Sequence, residues 1–482
     1  MCSADLFFWR QIFILIPACL HSFSVGFMLA FPAVLNPAIL SPNSTDITAT
    51  SAQASWIASS NGISGVVGFL IFSPIFQCFG RKVVGIGLNV TMVVGWITLS
   101  LANSITVLIF GRSIQGLCMG GIFICAITLS EYANPRRRGY FMTLNKITLG
   151  MGSLACHSFA IICTWRQIAA FCTIPSALAA IFVLFWPESP AFLAMKGRFD
   201  ESEKSFTWIN GNSVKSKSEL KELIKAQVER QELMKKSEKI SIVKSFIKTL
   251  KNEEMQKACF IVALVTLCID ACGRYFLIAY ITQILVEITG SKSIAMYCSI
   301  VSDLLLVFAL SISCFVIRIF KRRTLLFSLG LLTIAIMFFI SLMVVLKSKY
   351  DIMSQVSWLI PFLILLHTFV AHIGLVPVGF SITAEVFPLE YRGICSCISG
   401  IAYTIFYALT LKLTPMMIEF IDVSGTYAVY ALIVIFCLAI LYFILPETKD
   451  RTLQEIEDEI KGTERSDADK ILLPKRAIVV DS

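Results

Sequence analysis

From Thr324 to Leu346 the chain reads TLLFSLGLLTIAIMFFISLMVVL, with no charged residue between Arg323 and Lys347. A helix rises about 1.5 Å per residue, so this stretch is long enough to cross the ~30 Å hydrocarbon core of a bilayer. Similar runs occupy 11–33, 56–77, 84–102, 104–128, 140–163 and 168–186, and after a polar stretch 258–286, 294–317, 324–346, 357–383, 393–417 and 425–445. Backbone groups in lipid must find their hydrogen bonds within the segment, so each run is read as a helix. The expected fold class is an all-α membrane protein of twelve transmembrane spans, six on each side of a polar insert. The expected units are a first six-helix half at 1–186, an insert at 187–257, a second half at 258–445 and a tail at 446–482.

Composition supports this reading. Apolar residues make up 56% of the 482, charged residues only 15%, and 37 are Phe; the mean hydropathy is +0.78. Soluble domains carry about a quarter charged residues. The net charge of +9 therefore calls for no nucleic acid, because the placement of charge in a membrane protein matters more than its sum. The run from Gln11 to Ala33 is too long for a signal-peptide core and lacks a small-residue cleavage site, so it is read as a retained first span. Sixteen cysteines lie singly, with no CxxC pair, and are read as small buried hydrophobes rather than as a metal or disulfide framework.

Orientation follows from the short loops. Arg81 and Lys82 lie between spans 2 and 3, and Arg136, Arg137 and Arg138 between 4 and 5. Arg318, Lys321, Arg322 and Arg323 lie between 8 and 9, and Arg392 between 10 and 11. Alternate threading puts all of them on one side, which is expected to be cytoplasmic together with both termini and the insert. The sequon Asn43-Ser44-Thr45 falls in the first loop of the opposite side, where glycosylation occurs. In the insert, Glu219-Leu220-Lys221-Glu222-Leu223-Ile224-Lys225 reads as an amphipathic, solvated helix.

The two halves repeat one another. Phe79-Gly80-Arg81-Lys82 follows span 2, and Phe320-Lys321-Arg322-Arg323 follows span 8. Ser130-Glu131 with Arg138-Gly139 follows span 4, and Ala384-Glu385 with Arg392-Gly393 follows span 10 at the same spacing. Internal repeats of this kind are a common transporter architecture. A glutamate at a helix end and an arginine across a short loop can form a pair that breaks when the halves rock.

With these residues in view, the chain resembles the sugar porters of the major facilitator superfamily over essentially its whole length. Gly111-Arg112 with Gly116 and Gly120, Trp165-Arg166, Pro187-Glu188-Ser189-Pro190 and Pro446-Glu447-Thr448-Lys449 carry the resemblance. Thr452-Leu453-Gln454-Glu455-Ile456 and the short insert look most like the insect facilitated trehalose transporters. The resemblance implies the major facilitator fold, alternating access around a central site, and a cytoplasmic salt-bridge network. Its members would be Arg81, Glu131, Arg138, Glu188, Arg322, Glu385, Arg392 and Glu447.

Departures from the family pattern are concentrated in two places. In the gating loops, Gln77 and Arg318 stand where an acid is usual, and Lys321 replaces a glycine. In the cavity, Lys146 stands at the span 5 glutamine position, Ile269 and Asp270 at the paired span 7 glutamines, and Tyr275 at a span 7 asparagine. Leu306, Phe380 and Tyr403 replace an asparagine, a tryptophan and an asparagine, whereas Gly273, Tyr280, Pro377 and Lys412 match. The expected solute ligands are therefore Lys146, Asp270, Tyr275, Tyr280, Phe380, Tyr403 and Tyr407. Amides normally pair with sugar hydroxyls, but aromatic faces can stack on a sugar ring.

An ionisable residue at membrane depth is costly and points to function. Lys146 and Asp270 would face one solute from opposite halves as an ion pair. Alternatively, Asp270 pairs with Arg274 one turn on, or both are solvated. Asp303 joins the same polar region, and His157, His367 and His372 are read as structural hydrogen-bonders. The sequence shows no nucleotide loop, metal spacing or nucleophile constellation, so an enzyme and ATP-driven pumping are set aside and no cofactor is expected. Facilitated uptake of trehalose or a hexose at the cell membrane is the expected function, with lipid and the solute as partners. A proton-coupled carrier of another polar or charged solute, and a non-transporting sensor, remain open; the sequence does not give the oligomeric state.

Overall fold

The computed structural model describes residues 3–41, 46–133, 137–213, 216–221, 223–225, 228, 253–350, 358–386 and 392–449. Spans 1 to 4 are Leu6–Ile39, Ser51–Phe79, Arg81–Ser100 and Ile105–Tyr132. Span 5 is Arg138–Phe159 and span 6 is Trp165–Leu184. Spans 7 to 10 are Met255–Thr289, Lys292–Ile319, Arg322–Lys349 and Leu359–Thr383. The last helical stretch, Cys397–Ile444, breaks at Asp422, whose φ of 58° is left-handed, and so supplies spans 11 and 12.

Among the described residues, ten helices are long and apolar enough to cross a membrane. Span 5 falls below that standard because Arg138, Asn145, Lys146 and His157 interrupt it. Adding it and splitting the last stretch gives the twelve spans expected. At the end away from the basic loops, Thr50 and Thr164 start spans 2 and 6 with reciprocal caps. Each hydroxyl accepts from the glutamine N–H three residues on, and that glutamine's side chain accepts from the threonine N–H.

Burial sorts the helices by position. In span 7, 83% of the apolar window is buried, against 28% in span 8. Span 7 runs through the middle, whereas span 8 turns much of its surface to lipid through side chains such as Phe308 and Phe315. Apolar side chains gain nothing from meeting each other rather than lipid, so close helix contact relies on small residues. Spans 1 and 5 illustrate it: a Cβ at Gly26 would lie 2.0 Å from the Leu149 carbonyl oxygen and 3.0 Å from Gly152 Cα. The first six spans meet the last six along spans 2 and 11, 5 and 8, and 1 and 7.

The insert begins with two helices, Pro190–Met195 and Phe199–Asn210. The second is held under span 1, where Arg10 Nη1 donates to the Trp208 carbonyl at 2.9 Å and Gln11 Nε2 to Asn210 Oδ1 at 3.2 Å. The Glu219–Lys225 run is described only in part. Asn43 and the Thr452–Ile456 tail lie outside the described residues.

Candidate functional site

At the end of the bundle that carries the basic loops, the repeated residues form two clamps. In the first, Arg81 Nε and Nη2 donate to the two oxygens of Glu131 at 2.7 and 2.5 Å. Glu188 Oε1 accepts the Arg81 N–H at 2.9 Å and Oε2 the Lys82 N–H at 3.2 Å, which caps the start of span 3. Ser189 Oγ closes the ring by donating to Glu131 at 2.6 Å.

The second clamp has the same parts in the same places. Arg322 Nη2 lies 3.5 Å from Glu385 Oε1. Glu447 accepts the Arg322 and Arg323 N–H groups at 3.0 and 3.1 Å, and Thr448 Oγ1 donates to Glu385 at 2.5 Å. Burial pushes the Glu447 carboxyl up. The backbone N–H donors of Lys449, Arg323, Arg322 and Thr448 outweigh that and leave it below the usual carboxylate value.

Each glutamate therefore takes a different partner from the one the loop spacing suggests. Glu131 pairs with Arg81 across the helix bundle rather than with Arg138, which is exposed and makes no ion pair among the described residues. Glu385 likewise meets Arg322, and the Arg392 side chain lies outside the described residues. Arg81 wins because its guanidinium is fixed between the Phe76 and Phe192 rings, 4.3 and 5.0 Å from their centroids. Each clamp lies within its own half. Between the halves at this end, Arg318 covers span 5, where a side chain at Gly139 would meet its Nη2 at 3.2 Å.

In the middle of the bundle, span 7 loosens into a wider turn over Asp270–Arg274. Gly273 there has a φ of 99°, and a Cβ on it would come within 2.8 Å of His367 Cε1. Only glycine meets both demands. The break sends neighbouring side chains to different places. Asp270 is fully buried and neither of its oxygens has a hydrogen-bond partner among the described residues. Arg274 turns away from it and lays its guanidinium over the rings of Phe380 and Tyr275, at 4.5 and 5.0 Å.

Three tyrosines pack beside this break. Tyr275 Oη donates to Tyr403 Oη at 2.7 Å, and the Tyr275 and Tyr407 rings meet edge to face at 4.9 Å. Asn61 Nδ2 of span 2 reaches Tyr407 Oη at 3.2 Å, which brings the first half into the cluster. Tyr280 is spent differently: its hydroxyl donates to the Leu411 carbonyl at 2.7 Å and ties span 7 to span 11. Lys146 is exposed on span 5, near Cys314 and within electrostatic range of Arg274. Neither an ion pair between Lys146 and Asp270 nor one between Asp270 and Arg274 occurs among the described residues.

Sequence reasoning passed over three groups that the structure brings to this region. Asn61 stands in the polar run Ser59-Ser60-Asn61 inside span 2, and that run was the available signal. Arg112 is wholly buried, donating to the Met28 carbonyl at 2.9 Å and Gln115 Oε1 at 3.0 Å. Its Nη2 has no hydrogen-bond partner among the described residues. Arg274 counted only as a possible mate for Asp270.

The structural histidines divide. His372 Nδ1 meets the Thr368 carbonyl at 2.8 Å, and neither ring nitrogen of His367 has a hydrogen-bond partner among the described residues. His157 Nδ1 lies 2.5 Å from Asp303 Oδ2, with both groups buried.

Known proteins resemble this chain over most of its length. The facilitated trehalose transporter Tret1 of Drosophila willistoni is 23% identical over 465 residues, covering 95% of this chain and 52% of the relative. Tret1 of Bombyx mori is 24% identical over 466 residues, 96% of this chain and 89% of the relative. The chain thus spans about half the length of the Drosophila relatives it matches.

Among solved structures, the major facilitator superfamily proton:xylose symporter XylE bound to 6-bromo-6-deoxy-D-glucose aligns with a TM-score of 0.72. Its identity is 17%, and the alignment covers 95% of this chain and 99% of that one. A partially occluded inward open form of XylE from E. coli gives 0.73 at 17% identity, with 93% and 100% covered. At that identity the likeness fixes the fold, which is the major facilitator fold. The model of the family described as Sugar (and other) transporter matches residues 15–460, and the chain belongs to that family.

Proposed function

We propose that this chain moves a sugar, trehalose or a hexose, across the cell membrane by facilitated diffusion, through alternating access of a central site. The halves are 1–186 and 258–445, joined by the insert at 187–257 and followed by the tail at 446–482. The basic loops, both termini and the insert face the cytoplasm, and Asn43 carries glycan outside.

The observation that carries this reading is the duplicated clamp. Two sets of Arg, Glu, Glu and hydroxyl, at equivalent places in two repeats, each lock three helix ends into one rigid body. Rigid halves that rock about a site between them are the general working mode of such repeats. Between them, Tyr275, Tyr403 and Tyr407 are buried against one another, with Phe380 under Arg274 and Asp270 wholly enclosed, so these groups meet a solute, together with Lys146, in the open form of the site. Tyr280 acts here by tying two helices together beside the site. A sugar of several hydroxyls fits a site of hydroxyls and rings better than a purely apolar solute does.

The test is uptake of labelled trehalose and glucose into cells displaying the protein, at acid and at neutral pH. Saturable uptake insensitive to pH is expected. Uptake of neither sugar, with surface display verified, would overturn the reading. Enzymatic removal of N-glycans is expected to shift the wild-type band and to leave Asn43→Gln unchanged. An Asn43→Gln band that still shifts would remove this support for the orientation.

A further inference from the structure

Spans 5 and 8 form one of the seams between the first six and last six spans, and among the described residues two side-chain hydrogen bonds cross it. Toward the basic end, Thr143 Oγ1 meets Cys314 Sγ at 3.2 Å. Toward the opposite end, His157 in the last turn of span 5 meets Asp303 at 2.5 Å, with the side chains 3% and 4% exposed. The contacts differ in kind. A hydroxyl beside a thiol is a weak pairing. An imidazole bonded to a carboxylate away from water is a charge-assisted one, and expensive to part without replacement.

The surroundings offer His157 no substitute. Its Nε2 is buried without a partner, so the carboxylate of the other half is the ring's one polar contact among the described residues. Asp303 also walls a small pocket with Arg274, Ser302, Thr368 and His372. Those groups belong to spans 7, 8 and 10, and all of them stay with Asp303 if the halves separate. Only His157 would be pulled away. The two clamps at the basic end cannot register that separation, because each lies inside one half.

We propose that His157 and Asp303 are the latch that shuts the solute path at the end opposite the basic loops, and that the pair parts each time the path opens there. This rests on the alternating-access reading and adds the contact that holds one of its gates. Both residues act by positioning the helices, not by touching the solute. At the same end Lys412 Nζ of span 11 meets Ser55 Oγ of span 2 at 2.9 Å, so the latch is one of the polar contacts that opening must break, and weakening it shifts the population toward the outward-open form.

The test reads gate opening without any solute. Ser302 is 5% exposed, lines the pocket beside Asp303, and differs from cysteine by one atom. In cells displaying Ser302→Cys, a membrane-impermeant thiol reagent added outside should label the new thiol slowly; signal from native cysteines is subtracted with the parent protein. Adding Asp303→Leu or His157→Leu should raise the labelling rate about tenfold, the amount a loss of one such bond of ~1.4 kcal/mol gives. Asp303→Asn keeps an acceptor and should raise it less. The exchange His157→Asp with Asp303→His should return it to the slow rate.

Unchanged labelling in the leucine variants overturns the latch, and so does an exchange that labels as fast as they do. If the leucine variants fail to reach the surface, Asp303→Asn and the exchange decide the matter alone. The two proposals fail separately. A protein that takes up no sugar but labels as described loses the proposed solute and keeps the latch.

Discussion

The two clamps at the basic end are built from the same residues, yet they close to different degrees. Arg81 spends its whole guanidinium: Nε and Nη2 on Glu131, Nη1 on the Phe76 carbonyl at 3.3 Å, and both faces on aromatic rings. Arg322 gives Nη1 to the Ile317 carbonyl at 2.5 Å, reaches Glu385 only at 3.5 Å, and leaves Nε buried without a partner among the described residues. The cause lies with the glutamates. Glu385 is already bonded by Ser381 Oγ at 2.7 Å and Thr448 Oγ1 at 2.5 Å, whereas Glu131 takes one hydroxyl, from Ser189. A carboxylate satisfied by neutral donors has less need of a cation, so a repeated motif need not give a repeated energy.

Breaking the pairs one at a time should expose that difference. Arg81→Ala strands a largely buried carboxylate, and a loss of about 3 kcal/mol is expected. Arg322→Ala should cost about 1 kcal/mol, because two hydroxyls still hold Glu385. Thermal melting of the detergent-solubilised protein measures both, and equal shifts would contradict the comparison. The same asymmetry can be sharpened from the other side. Ser381→Ala alone is expected to cost roughly 0.5–1 kcal/mol. In that background Glu385 is freer to turn to Arg322, so Arg322→Ala should cost more than it does in the wild type. Additive costs in the double variant would mean that Ser381 does not hold Glu385 away from Arg322.

How far each region was legible in the sequence follows from what carries its signal. Span 9 announces itself by length and apolarity alone, and the clamps by residues repeated at fixed spacing. Span 5 was read from the same hydropathy, although Lys146 and His157 weaken it. The partners inside the clamps were misjudged, because spacing along the chain favours Glu131 with Arg138. The winner, Arg81, is set by the rings of Phe76 and Phe192, which come together only in three dimensions. At the central site, Asp270 and Arg274 are four apart and would face each other on a regular helix. The left-handed Gly273 between them widens the turn and sends Arg274 onto Phe380. His157 and Asp303 are 146 positions apart, and no local pattern joins them.

The smallest expected effect separates the two carboxylates that cap spans 3 and 9. Glu447 sits below the usual carboxylate value because four backbone N–H groups bond its ionised form and outweigh the cost of burial. A carboxyl whose folded value is depressed contributes stability that is fully present above its unfolded value, about 4.5 for glutamate. That contribution is lost as the pH falls through the lower folded value. Melting temperatures should therefore drop on acidification below the ordinary glutamate range, and Glu447→Gln should flatten part of that drop. The contribution is modest because Glu447 is only half-buried and water screens it. With Arg322 already loosely held, acid should release the second clamp through its cap rather than through its ion pair. An Arg322→Ala variant should then keep the acid slope that Glu447→Gln loses; if Arg322→Ala removes the slope and Glu447→Gln keeps it, the ion pair and not the cap is what titrates.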